Sequence, residues 1–192
     1  MTGIILAGGE NRRMGVDKAF LKVGGVPMIE RILGALRSVF QNIIIVTNSP
    51  QSYGAYDVDV TTDAFDKRGP LTGIYSGLLK SKDEYNFVVA CDMPWLSPGL
   101  MQYMASLSEG YDIVVPAAGG LFEPLHAVYR RGLAPIIEEQ IRLEKRRIQE
   151  LFGTQRVRYV AEEEIERFDP LRRSFKNLNT PEEYYKEATC AD

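Results

Sequence analysis

At 192 residues and 21.6 kDa the chain is long enough to bury one sizeable core, and a single domain over residues 1–192 is expected. Hydrophobic residues at 45%, charged residues at 26% and a net charge of −3 describe an ordinary soluble globular protein and exclude a general attraction to nucleic acid, so any functional positive charge must be local. Cys91 and Cys190 stand far apart without a C-x-x-C partner, which argues against a disulfide framework or a zinc site, and no apolar run approaches membrane-spanning length or forms a leader, so a cytoplasmic location is the default.

Ile4-Ile5-Leu6 is a short apolar run ending in small residues, as a buried central strand does where it meets a loop. The loop that follows carries Gly8, Gly9 and Gly15 together with Arg12, Arg13 and Lys18, so its backbone can approach a ligand closely while cations converge on it. Such a loop suits polyphosphate. It is not a P-loop, because Lys18 is followed by Ala19 and not by a hydroxyl residue, and its glycine spacing is not G-x-G-x-x-G.

Phe20-Leu21-Lys22-Val23 and Val26-Pro27-Met28 flank Gly24-Gly25 and predict a small hairpin, with Pro27 also beginning a helix. Met28, Ile29, Ile32, Leu33, Leu36, Val39 and Phe40 recur at helical spacing, opposite Glu30, Arg31 and Arg37. Ile43 to Thr47 is a second continuous β-branched run of the kind buried on both faces in a parallel sheet, giving a right-handed β-α-β unit. Asn48 ends it, either as a turn former or as a ligand group at a strand's carboxyl end. Val58-Asp59-Val60 predicts a short strand near an edge, Leu71 to Lys80 a helix, and Asn86 to Cys91 a third apolar strand ending at Asp92. One carboxylate at that position suffices to anchor Mg²⁺ against a triphosphate. Ser97-Pro98 starts a helix through Ser108, and Asp112 to Pro116 is a further strand.

His126, the only histidine, fits a hydrogen-bonded core group better than a catalyst. After Tyr129, Glu138, Glu139, Arg142, Glu144, Lys145, Arg146 and Arg147 interleave with Ile136, Ile137, Ile141, Leu143, Ile148, Leu151 and Phe152, predicting one or two amphipathic helices whose apolar residues bury against the sheet. Glu162-Glu163-Glu164 predicts a helix start. Near the end, Thr180 with Glu183 makes a capping box with Pro181 at the first helical position, and Asn177 and Asn179 place two amides on one side of an extended segment.

Five stretches together resemble the nucleotidyltransferases that attach a nucleotide to molybdopterin, the MobA family: Leu6-Ala7-Gly8-Gly9 through Arg13-Met14-Gly15 and Asp17-Lys18, Gly69-Pro70-Leu71-Thr72-Gly73-Ile74, Cys91-Asp92-Met93-Pro94, Glu123-Pro124-Leu125-His126-Ala127, and Asn177-Leu178-Asn179-Thr180-Pro181-Glu182. Asn11 replaces the family's usual serine. The resemblance runs from Leu6 to Glu183 and implies an α/β fold, a mostly parallel Rossmann-like sheet with helices on both faces. It implies that Leu6, Ala7, Gly8, Gly9, Gly15, Lys18, Asn48, Asp63 and Asp92 bind nucleotide, with Asp66 as the competitor of Asp63. It further implies that Asn177 and Asn179 meet the pterin, that the E-P-L-H-A stretch lines the acceptor side, and that Arg13, Lys18 and Asp92 are catalytic, with Asp92 holding Mg²⁺. Arg146 or Arg147 either reaches an anionic acceptor or pairs with surface glutamates, the latter being favoured.

The implied activity is transfer of GMP from Mg·GTP to the terminal phosphate of molybdopterin cofactor, with release of pyrophosphate. A cytidylyltransferase or another nucleotidyltransferase of the same fold is the alternative, and a non-catalytic GTP-binding or cofactor-carrier module is the competitor from another class. GTP and the molybdopterin cofactor are the implied partners, with transient contact to cofactor-delivery proteins and molybdoenzymes; neither nucleic acid nor membrane is expected.

Overall fold

The computed structural model describes residues 1–8, 18–65, 69–179 and 183. Strand β1 (Thr2–Leu6) is buried along its whole length. Lys18–Phe20 forms a single 3-10 turn that leads into β2 (Lys22–Val23) and β3 (Val26–Pro27), an antiparallel pair closed by Gly24 and Gly25 at φ 56° and 77°. Two left-handed residues in succession are what a two-residue hairpin of this twist requires. Helix α1 (Met28–Arg37) begins one residue later than expected, because Pro27 is still paired with Lys22 and its ψ of 140° is extended.

The chain continues through β4 (Asn42–Val46), β5 (Asp59–Thr61), α2 (Pro70–Lys80), β6 (Tyr85–Ala90), α3 (Pro98–Ser106), β7 (Ile113–Ala118), β8 (Leu121–Phe122), β9 (His126–Arg130), α4 (Ala134–Arg142), β10 (Val157–Val160) and α5 (Glu162–Glu166). The Ser97 hydroxyl caps α3 by accepting from the Leu100 N–H at 3.3 Å, as its position before Pro98 predicts. The main sheet runs β5-β4-β1-β6-β9-β7-β10, with β8 added to β7. Pairs β5/β4, β4/β1, β1/β6 and β7/β10 are parallel, whereas β9 is antiparallel to both β6 and β7.

Alternation along the strands sends successive side chains to opposite faces, and both faces are covered. On one face Ile5, Ile45, Phe87, Val89 and Val128 meet Ile29, Ile32, Leu33 and Leu36 of α1 and Leu100, Met101 and Met104 of α3. On the other, Ile4, Leu6, Ile44, Val46 and Val88 meet Leu71, Ile74 and Leu78 of α2 and Ile137 and Ile141 of α4. A small third cluster of Val23, Met28 and Leu178, with Leu21 and Trp95 against it, pins the hairpin to the C-terminal segment. No helix among the described residues is long and apolar enough to cross a membrane.

The charged stretch after Tyr129 forms one α-helix and one 3-10 turn at Ile148–Leu151, separated by Glu144 at φ 60°. Its apolar residues do not all bury: Ile137, Ile141, Ile148, Leu151 and Phe152 do, but Leu143 is 61% exposed and Ile136 38%. The left-handed Glu144 ends the helical register, so Leu143 has no second turn to carry it inward.

Gly77 shows how closely α2 lies on the sheet. A Cβ there would stand 2.6 Å from Cγ2 of fully buried Ile4 and 3.3 Å from Cγ2 of Val46. Alanine favours an α-helix by about 1 kcal/mol over glycine, but overpacking a close-packed core costs about 1–3 kcal/mol. Gly77→Ala is therefore predicted to lower the melting temperature; an unchanged or raised melting temperature would show that α2 can lift off β1 freely.

Candidate active site

Strands β1, β4, β5 and β6 are parallel and end at the same level, since Leu6 is opposite both Val46 and Ala90, and Val46 is opposite Thr61. The residues that follow each strand therefore share one edge of the sheet, the place where open α/β sheets bind ligands. The Ala7 N–H donates to the Val46 carbonyl (2.8 Å), the Thr47 N–H to Thr61 (2.9 Å) and the Cys91 N–H to Leu6 (3.1 Å), which carries the ladder one step past the strand ends. Beyond those bonds come Gly8, Asn48, Asp63 and Asp92.

Asn48 Nδ2 donates to Asp63 Oδ2 at 2.9 Å. A Cβ on Gly8 would lie 3.5 Å from that same Asp63 oxygen and 3.8 Å from Asn48 Nδ2, so the bare Gly8 backbone faces the pair. Three residues expected on the nucleotide side thus stand together. The loop behind Asp63 is tied down by the Ala64 N–H donating to Ser76 Oγ (2.9 Å) on α2. Leu6 and Ala7 are buried at the end of β1, each in the core of a different face. The expectations placed on Gly9, Arg13, Gly15, Asp66 and the Thr180-Pro181 cap lie outside the described residues.

Asp92 follows β6, and its Oδ1 is buried without a hydrogen-bond partner among the described residues. Burial pushes its carboxyl group up from the ordinary aspartate value, opposed by the Lys18 ammonium and by its own backbone N–H. Lys18, at the start of the 3-10 turn, donates from Nζ to the Asn179 carbonyl oxygen at 2.9 Å. The Leu178 N–H donates to the Asp92 carbonyl at 3.0 Å, so the Asn177–Asn179 segment runs alongside the end of β6. Asn177 Oδ1 is a second buried oxygen without a partner among the described residues, while Asn179 is exposed and its N–H is taken by Glu183 Oε2 at 2.8 Å. The expected nucleotide and acceptor halves touch directly, at Lys18 and Asn179.

The E-P-L-H-A stretch also adjoins the end of β6, where the Ala90 N–H donates to the Leu125 carbonyl at 3.2 Å. Burial raises the Glu123 carboxyl group. His126 is fully buried between the rings of Phe87 and Phe175, edge-on to both with centroids at 4.9 and 5.1 Å. Burial pushes its pKa down to about 3 against a weaker pull from Asp169, so the imidazole is neutral. The expected core placement is found, but the expected hydrogen bond is not, because neither ring nitrogen has a partner among the described residues. Arg146 and Arg147 form no ion pair among the described residues, contrary to the favoured surface pairing; Arg146 and Lys145 line a cavity of about 200 Å³ with Gly69 and Pro70 at the start of α2.

Sequence reasoning passed over Trp95, the only tryptophan, three residues beyond Asp92. Arg173 and Lys176 both lie over its ring. The pairing is invisible in the sequence because the partners are separated by nearly eighty positions; the one available signal was a lone aromatic directly after Cys91-Asp92-Met93-Pro94.

Comparison with known proteins points to one family. A family model described as the MobA-like NTP transferase domain matches residues 3–159, a span that includes Gly8, Lys18, Asn48, Asp63 and Asp92 and stops before Asn177. A probable molybdenum cofactor guanylyltransferase of Pelotomaculum thermopropionicum is 40% identical over 191 residues, covering 100% of this chain and 93% of its own. The molybdenum cofactor guanylyltransferase of Desulfosudis oleivorans is 39% identical over 188 residues, covering 97% and 93%. Among solved structures, the molybdopterin-guanine dinucleotide biosynthesis protein A of Archaeoglobus fulgidus superposes with a TM-score of 0.86 at 27% identity, over 100% of this chain and 99% of that one. With β5, β4, β1 and β6 presenting their carboxyl ends to a shared edge, and with relatives matched over nearly their full length, the chain belongs to the MobA-like NTP transferase family.

Proposed function

We propose that the protein is a molybdenum cofactor guanylyltransferase, a single nucleotidyltransferase domain acting in the cytoplasm. It transfers GMP from GTP to the terminal phosphate of molybdopterin cofactor and releases pyrophosphate. The observation that carries the reading is the convergence of a buried, unpartnered Asp92 carboxylate oxygen, the Lys18 ammonium and the Asn177–Asn179 segment at one strand end, beside the Gly8, Asn48 and Asp63 group. The names of the close relatives supply the nucleotide and the acceptor. Transient contact with cofactor-delivery proteins and molybdoenzymes follows from the same reading.

In this reaction an oxygen of the acceptor phosphate forms a bond to the α-phosphorus of GTP, the bond between the α-phosphorus and the bridging oxygen breaks, and its electron pair leaves with pyrophosphate. The attacking group is already ionised, so no general base is needed, and the neutral buried His126 is left out of the chemistry. Catalysis then rests on positioning and charge neutralisation. Gly8, Asn48 and Asp63 hold the nucleotide at the ends of β1, β4 and β5 together with Leu6 and Ala7, and Gly9 and Gly15 are given the same nucleotide-binding role by the family pattern. Lys18 sets a positive charge between nucleotide and acceptor, and Arg13 bears on the phosphates. Asn177 and Asn179 offer amides to the pterin.

Asp92 fits a Mg²⁺ site: its free carboxylate oxygen is of the hard type this ion prefers, and Mg²⁺ bound with substrate phosphates takes only one or two carboxylates from the protein. When bound, Mg²⁺ supplies charge neutralisation to the triphosphate.

Three outcomes are expected. Pyrophosphate release with Mg²⁺ and molybdopterin should be supported by GTP and not by CTP; equal or better turnover with CTP would move the protein to the cytidylyltransferase branch.

Asp92→Asn should abolish turnover without loss of stability at neutral pH. Because the folded-state value of Asp92 is raised, its favourable contribution exists below the unfolded-state pKa and is lost as pH rises through the folded value. The ionised carboxylate is thus a burden on the fold at pH 7, and the variant should melt at or above the wild type there, with the difference shrinking in acid. Near-normal turnover of the variant would remove Asp92 from the machinery.

Asn177→Ala should raise KM for molybdopterin while GTP affinity holds, since one neutral hydrogen bond is worth about 0.5–1.5 kcal/mol and acts locally. Because its Oδ1 has no partner among the described residues, the melting temperature should not fall. A clear drop in melting temperature with normal acceptor kinetics would make Asn177 a turn residue only.

A further inference from the structure

Trp95 follows β6 three residues beyond Asp92 and packs against the small cluster of Val23, Met28 and Leu178. Over that ring stand two cations, with Arg173 Cζ 5.2 Å and Lys176 Nζ 5.5 Å from the centroid. The segment that carries them is fixed from several directions. The Asp169 carboxylate accepts from the backbone N–H groups of Arg173 (3.0 Å) and Ser174 (2.8 Å), and the fully buried Ser174 Oγ accepts from the Ser97 N–H (2.9 Å), two residues after Trp95. Two residues beyond Lys176, Leu178 is bonded to Asp92.

The neighbouring Arg172 spends its charge on Glu162 at 2.5 Å and Glu166 at 3.9 Å. Arg173, by contrast, has no carboxylate within ion-pair distance among the described residues; its guanidinium lies on an aromatic face instead. A ring attracts a cation through its quadrupole and restricts its motion, yet leaves the charge uncancelled for another ligand. In a protein of net charge −3 this is a local concentration of positive charge, on the segment that the Leu178 N–H fastens to the Asp92 carbonyl.

The reaction brings a phosphate dianion up to a triphosphate, and like charges at bonding distance repel strongly unless each anion is matched on its own side. Lys18 serves the junction, which leaves the approaching acceptor to be met from the β6 side. We propose that Arg173 and Lys176, held over Trp95, form the docking site for the acceptor's phosphate. The guanidinium presents paired N–H donors that suit a phosphate, and Lys176 adds a point charge beside it. The inference rests on the guanylyltransferase reading and adds to it the residues that select an anionic acceptor.

The test compares wild type with Arg173→Gln, Lys176→Gln and the double variant. Two measurements are made: steady-state pyrophosphate release with varied molybdopterin and with varied GTP, and direct titration of the GTP-free proteins with molybdopterin followed by Trp95 emission. Trp95 is the only tryptophan, so its emission reports on this ring alone. The double variant should raise KM for molybdopterin by about tenfold or more, as expected for lost hydrogen bonds to a charged group, and weaken the titration equally while KM for GTP stays unchanged. Added salt should weaken acceptor binding to wild type and have much less effect on the double variant. The proposal is overturned by an unchanged molybdopterin KM, by an equal rise in the GTP KM, or by a lower melting temperature with the acceptor constants intact. Failure of wild type to release pyrophosphate from GTP would sink the guanylyltransferase reading instead. In that event the titration still decides: molybdopterin binding that is lost in the double variant upholds the docking site, and binding that is absent in wild type or retained in the variant refutes it.

Discussion

The bond from the Cys91 N–H to the Leu6 carbonyl is the last rung between the two central strands, and the position of every polar group in the site depends on where that ladder stops. β1 is buried throughout and paired in register on both sides, so it cannot slip without moving apolar side chains to the wrong face. Because its neighbours end at the same level, residues as distant in the chain as Gly8, Asn48, Asp63 and Asp92 emerge together. The hydrophobic patterning thus sets the geometry of the chemistry. The closeness of α2 at Gly77 and of Leu6 to Gly73 belongs to the same constraint, since β1 is held between its neighbours edgewise and between helices face to face.

Electrostatics explains why the charged groups of the site are arranged as they are. A protein of net charge −3 that handles a triphosphate must concentrate its cations, and the described part of the site shows this in Lys18 beside Asp92 and in the two cations over Trp95. The arrangement is unfavourable to the folded protein alone. Asp92 keeps one oxygen buried and unmatched, and Asn177 does the same on the adjoining segment. Unsatisfied buried acceptors typically cost about 1–3 kcal/mol each, and they persist in native proteins where a ligand makes use of them. His126 is unmatched too, but it is enclosed by Phe87 and Phe175 and faces no ligand edge, so its case is one of aromatic packing.

The sequence made the left half of the sheet legible for a physical reason. Ile4-Ile5-Leu6, Ile43 to Val46 and Phe87 to Ala90 are buried on both faces, and such strands read as unbroken apolar runs. The Gly24-Gly25 hairpin was equally plain. The right half was harder. β9 was met only as the motif Glu123 to Ala127, although Gly119 and Gly120, both at positive φ, are the same two-glycine signal of a hairpin that announced β2 and β3. β10 lies at an edge and alternates weakly, and the left-handed Glu144 could not be foreseen in a run that kept helical spacing. In the site, residues at strand ends were legible because strand ends were. Contacts made across the fold, such as Lys18 with Asn179, Leu178 with Asp92, or Arg173 with Trp95, were not, since no local pattern encodes them.

The contact between Lys18 and Asn179 changes how the two sides of the site must be regarded. Lys18 belongs to the glycine-rich loop, and Asn179 belongs to the segment that Leu178 fastens to Asp92; the Asn179 N–H is held in turn by Glu183. A lysine ammonium has three donors, so Lys18 can keep the Asn179 carbonyl and still turn a donor toward a phosphate. If it does both, nucleotide binding stiffens the acceptor segment, and the two ligands favour each other through one ammonium without any movement of the sheet. If phosphate instead draws Lys18 off the carbonyl, Asn179 is released and the ligands oppose each other. Either way the effect is reciprocal, because whatever the nucleotide does to acceptor affinity the acceptor must do to nucleotide affinity. An independent pair of half-sites is thus the one arrangement that this hydrogen bond disfavours, and the sheet edge behaves as a single site with two ligands.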